Sequence, residues 1–72
     1  MNAFALEVWF TSDKLYIRLD DGRELGVPLE WFPKLRDAKE KQRNNFRFIG
    51  KGLGIHWPDL DEDISVAELL KV

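Results

Sequence analysis

Leu15-Tyr16-Ile17-Arg18-Leu19-Asp20-Asp21-Gly22-Arg23-Glu24-Leu25-Gly26-Val27-Pro28-Leu29 is the stretch that decides the fold. Leu15, Ile17 and Leu19 alternate with Tyr16 and Arg18, so one side of an extended segment is apolar and the other polar. Leu25, Val27 and Leu29 repeat the pattern. Between the two runs, Asp-Gly supplies the positive φ angles of a tight primed hairpin turn. Pro28 has no N–H to give to a ladder, which puts the later strand at an edge.

Working outward, Phe4, Leu6, Val8 and Phe10 share one face of an earlier strand, with Ala5, Glu7 and Trp9 on the other. Ser12-Asp13-Lys14 is the turn that joins it to the second strand. The N-terminal half therefore reads as a three-stranded antiparallel meander. The period then changes. Trp31, Leu35 and Ala38 fall at helical spacing, and Pro33 suits a first helical turn. A short helix is predicted over about 30–37, then a turn, then a helical turn near 39–44. Phe46 and Phe48 restart strand alternation, and Leu53, Ile55 and Trp57 continue it past Gly50-Lys51-Gly52. That break fits either one bulged strand or a small hairpin. Pro58 ends the ladder. Ser65-Val66-Ala67-Glu68 is a capping box that starts a last helix, with Val66, Leu69 and Leu70 as its apolar stripe. The predicted fold is α+β: an antiparallel sheet of the meander plus one or two further strands, with two to three short helices on one face. Trp31, Leu35, Ile55, Trp57, Val66, Leu69 and Leu70 are expected to seal it.

Seventy-two residues make one domain. A domain this small buries only about 60% of the surface its unfolded chain exposes. Three Trp and five Phe supply the large apolar areas such a thin core needs. The net charge of −2 gives no global field toward nucleic acid or anionic lipid. No apolar run approaches the roughly 20 residues of a membrane span. The start Met1-Asn2-Ala3-Phe4 lacks the basic and apolar segments of a secretion signal, and there is no cysteine. These features point to the cytoplasm.

Three motifs bear on chemistry. Asp59, Asp61 and Asp63 repeat the one-three-five spacing of a calcium loop, but Ile64 and Leu70 stand where the loop needs Gly and Glu. The stretch reads as carboxylates placed before a helix N-terminus. Gly50, Gly52 and Gly54 match neither a phosphate-binding nor a dinucleotide fingerprint. His56 is the single histidine, and no serine sits on a nucleophile elbow. No catalytic, metal or cofactor site is therefore expected. The remaining signal is charge. Lys34, Arg36, Lys39, Lys41, Arg43, Arg47 and Lys51 crowd into a quarter of the chain, against an acidic C-terminal end. His56, Asp59, Asp61, Glu62, Lys39, Lys41 and Arg43 are the candidate interaction surface. A protein partner fits this composition. Nucleic acid bound by the basic stretch 34–51 is the alternative, without a motif to support it.

Asp21-Gly22-Arg23, Val27-Pro28-Leu29 and Trp31-Phe32-Pro33-Lys34-Leu35 carry a family resemblance, continued by Ala38, Arg43, Asn45 and the block from Gly54 to Val66. On these residues the chain resembles domain-of-unknown-function family 2442, a family of small bacterial proteins. The resemblance implies a small α+β domain without assigned catalytic residues. It also implies a small neighbour-encoded partner (domain-of-unknown-function family 4160), in a layout like that of toxin and antitoxin pairs. Self-association stays open.

Overall fold

The computed structural model describes residues 3–71. Strands β1 (Ala5–Phe10), β2 (Lys14–Leu19) and β3 (Glu24–Pro28) form one antiparallel sheet in sequence order. Helical turns follow: a 3-10 turn at Leu29–Trp31, then α1 (Pro33–Arg36) and α2 (Glu40–Arg43). A second antiparallel sheet is built from β4 (Arg47–Ile49), β5 (Gly54–Trp57) and β6 (Glu62–Ser65), with β5 central. Helix α3 (Val66–Leu70) closes the chain. The α+β class is as predicted, but the later strands do not extend the meander. They make a sheet of their own, so the inner face of the meander is covered by strands as well as by helical turns. Among the described residues no helix is long and apolar enough to cross a membrane.

One apolar cluster joins the two sheets. Leu15, Ile17 and Leu19 come from β2, Ile55, Trp57 and Ile64 from the second sheet, and Leu29, Leu35 and Val66 from the helical turns. All are buried. The hairpin between β2 and β3 is present, but only Gly22 has a positive φ, at 93°. Leu19 N–H donates to the Arg23 carbonyl and Gly22 N–H to that of Leu19. This is a three-residue loop with its left-handed residue last, not a two-residue primed turn.

Strand β1 departs from strict alternation. Ala5 pairs with Leu19 and Glu7 with Arg18, so Leu6 is an inserted bulge residue. The bulge resets the parity. Ala5 is buried and Leu6 exposed, while Val8 and Phe10 still lean on the core. The 3-10 turn at Gly50–Gly52 packs on β1, and a Cβ on Gly52 would sit 2.6 Å from the Ala5 carbonyl oxygen. That turn also resolves the segment 50–57: it is a hairpin joining β4 to β5, and Leu53 lies outside the strand.

The helix predicted over 30–37 breaks at Phe32 (φ −131°, ψ 79°). Phe32 precedes Pro33, and the proline ring excludes helical backbone from the residue before it. The break sends Leu29 and Leu35 inward and leaves Trp31 at the surface, 55% exposed, instead of in the core. The last helix starts where the capping signal places it. Ser65 Oγ accepts from the Glu68 N–H, at a long 3.5 Å. Ser65→Ala should therefore cost only about 0.5 kcal/mol, the low end for a cap. A thermal midpoint about 2–4 °C lower would confirm this weak cap.

Candidate functional site

The break at Phe32 also creates the most distinctive surface feature. Trp31 and Phe32 form one wall of an apolar groove of about 390 Å³. Ile64 and Ser65 of β6 and Leu69 of α3 line it as well, together with the acidic residues Asp63 and Glu68. Trp57, of the same residue type, is fully buried. The chain thus leaves one indole half in water beside an apolar cleft, while burying another completely.

A polar network centred on Arg43 ties the helical turns to both sheets. Arg43 donates from Nε to the Leu35 carbonyl at 2.8 Å and from a terminal nitrogen to the Arg36 carbonyl at 2.6 Å. It thereby satisfies the open carbonyls at the end of α1. Its guanidinium also lies 5.6 Å from the centre of the Phe10 ring. The Arg43 carbonyl accepts from Trp57 Nε1 at 2.9 Å. Arg36 is held by Asp37 and Glu30. Hydrogen bonds to those two carboxylates raise the Arg36 pKa above its ordinary value, and Arg36 in turn lowers that of Asp37.

The model of the family described as protein of unknown function (DUF2442) matches residues 5–71. The chain belongs to the DUF2442 family. A crystal structure of a protein of unknown function from Rhodospirillum rubrum has the same fold, with a TM-score of 0.80 at 25% identity. The match covers 97% of this chain and 87% of that one. No curated protein matches the chain.

Within this DUF2442 fold the residues expected at an interaction surface are spread out. His56 stands on the outer face of β5, its Nδ1 against the Asp63 carboxylate on β6. Asp59 accepts from Asn45 Nδ2 at 2.9 Å, and the Asp61 carbonyl accepts from Lys34 Nζ at 3.2 Å. The acidic turn is therefore tied to the basic segment rather than held apart from it. Asp61 has φ 50°, a conformation asparagine and aspartate tolerate better than most residues. Glu62 is half-buried in β6. Lys39 and Lys41 are exposed, whereas Arg43 is turned inward and is part of the scaffold. Neither the groove nor β6 was among the features expected from the sequence. The one signal that could have shown β6 is Ile64 between polar neighbours, facing the same way as Ile55 in the paired strand. A larger cleft of about 470 Å³ between β1 and α2 is lined by Trp9, Thr11, Ser12, Glu40 and Arg43. Its guanidinium is already engaged by two carbonyls. Among the described residues no group of three His, Cys, Asp or Glu side chains is arranged to hold a metal ion.

Proposed function

We propose that this chain is a non-enzymatic protein-interaction module of the cytoplasm, offering the Trp31 groove to an apolar, cationic segment of a second protein. The observation that carries the reading is Trp31, 55% exposed on an apolar cleft in a domain short of core material. Tryptophan in such a cleft is the residue type most often found to dominate a protein interface. The exposed acidic side chains of Asp63 and Glu68, both of which line the groove, favour a basic partner surface. The family resemblance supplies the further proposal that the partner is a small neighbour-encoded protein, with this chain as the antitoxin-like half.

Trp31→Ala tests it. The unfolding midpoint should move little, since the ring contributes little to the core, within about 0.5 kcal/mol. Affinity for the co-purified neighbour product should fall by about 30-fold or more, the loss of a hot-spot residue. Retained binding, or no binding by the parent chain, would overturn the reading. The nucleic-acid alternative is weakened by the scaffold. Arg36 and Arg43 are committed to other groups, and Lys34 is tied to the Asp61 carbonyl. A gel shift that falls steeply with salt would nonetheless favour it.

A further inference from the structure

We infer that the occupant of the Trp31 groove is an extended strand, which adds to the free edge of β6 through the backbone of Asp63. The inference rests on the reading of the groove as a docking site and specifies how the partner is held.

The ladder shows which way the backbone of β6 faces. Residues paired in an antiparallel sheet alternate between those that exchange N–H and C=O groups and those that do not. Ile55 pairs with Ile64, and one register step beyond the sheet the Val66 N–H donates to the Leu53 carbonyl at 3.0 Å. The Ile64 carbonyl oxygen also lies toward β5, 3.2 Å from where a Gly54 Cβ would stand. Glu62, Ile64 and Val66 therefore bond toward β5. Asp63 and Ser65, in the alternate pairs, turn their N–H groups to the outer edge. The close approach of His56 and Asp63 side chains agrees, because pairs without backbone bonds bring side chains nearer. Among the described residues, no loop or turn backbone bond reaches Asp63 or Ser65 from the Trp31–Phe32 segment. The groove thus lies along an unpaired strand edge.

An added strand places alternate side chains on opposite sides. One set would meet Trp31, Phe32 and Leu69, so it must be bulky and apolar. It would also meet Asp63 and Glu68, so its other positions are lysine or arginine. Asp63 already faces His56, and Glu68 has Lys71 4.0 Å away, so both carboxylates keep open sides. The opposite edge of this sheet, β4, is unsuited to the same ligand because Arg47 would repel a cationic strand. A second copy of the chain could present β4, but that strand has only three residues. Pairing β4 to β6 would also be head to tail, giving a ring or an open filament rather than a two-fold dimer.

The experiment uses the full chain and a displayed library of random ten-residue peptides. Selection should enrich peptides that alternate cationic and bulky apolar residues. Bound peptide should slow exchange of the Asp63 amide at least tenfold. Proline is tolerated on an edge strand where its missing N–H would face outward. Asp63→Pro should therefore stay folded, yet bind the selected peptide at least tenfold more weakly than Asp63→Ala. Methylating alternate backbone nitrogens of the peptide should abolish binding to the unaltered chain, which tests the same bonds without changing the protein. Equal binding by Asp63→Pro and Asp63→Ala, or indifference to peptide methylation, would overturn strand addition. If Trp31→Ala still abolishes binding in that case, the groove reading stands alone. Enrichment of helical apolar peptides, enrichment of nothing, or self-association lost on Trp31→Ala would each overturn the proposal as well.

Discussion

Trp57→Ala is expected to lose about 3–5 kcal/mol, enough to leave much of the chain unfolded at room temperature. The ring has no exposed surface and lies at the end of the central strand of the second sheet. Phe10 meets it edge-on at 6.5 Å between centres, and Phe46 lies tilted against it at 6.1 Å. Phe10 belongs to the first sheet, so the indole bridges the two halves of the core. The substitution also strands the Arg43 carbonyl, which loses the Nε1 donor. An unpaired acceptor of this kind costs about 1–3 kcal/mol by itself if water cannot reach it. Trp57→Phe separates the contributions: it keeps most of the ring contacts and loses the hydrogen bond. Urea unfolding of the two variants should show Trp57→Phe well above Trp57→Ala. An unchanged midpoint for Trp57→Ala would contradict the burial.

Gly52→Ala is the second large effect, and it comes from a single methyl group. Gly52 has φ 108°, where a side chain is strained. The new Cβ would also stand 2.6 Å from the Ala5 carbonyl oxygen and 2.9 Å from its nitrogen. Both are backbone atoms of a paired strand and cannot rotate away. Strain of about 1–2 kcal/mol and overpacking of about 1–3 kcal/mol add to about 2–5 kcal/mol. Gly22→Ala is the matched control. Its φ is 93°, but nothing lies within 4 Å of the new methyl, so only the strain remains. At about 4–8 °C per kcal/mol, Gly22→Ala should lower the thermal midpoint by several degrees and Gly52→Ala by two or more times as much. Equal shifts would mean that the 3-10 turn moves off β1 freely.

The same two positions show what was legible in the sequence. Period-two alternation from Leu15 to Leu19 and the Asp-Gly turn placed the meander, because those signals act between near neighbours. The bulge at Leu6 was not legible. It lies where Gly52, far along the chain, comes against Ala5, and no local pattern encodes that contact. Ser65 marked the final helix because a cap is local chemistry. Strand β6 was hidden because Glu62, Asp63 and Ser65 are polar, and its pairing is decided by Ile64 opposite Ile55. Trp31 falls at helical spacing with Leu35, but the restriction that Pro33 places on Phe32 breaks the helix between them and turns the indole outward. That same restriction explains the groove, so the site was written in the sequence as a rule about proline, not as a motif. The basic cluster was visible, but composition cannot distinguish exposed Lys39 and Lys41 from Arg43, whose guanidinium caps two carbonyls.

Each sheet is assembled from strands consecutive in sequence, and that has a consequence for synthesis. When residues 5–28 have left the ribosome, every strand of the first sheet is available, and its pairings need only short loops to close. The face bearing Leu15, Ile17 and Leu19 then gains Leu29 and Leu35 from the helical turns, but its cover is complete only when Ile55, Trp57 and Ile64 arrive. During that interval the nascent chain carries a completed sheet whose apolar side is only partly covered. The interval ends only when the second sheet has also formed, so the opening for wrong association lies before that point.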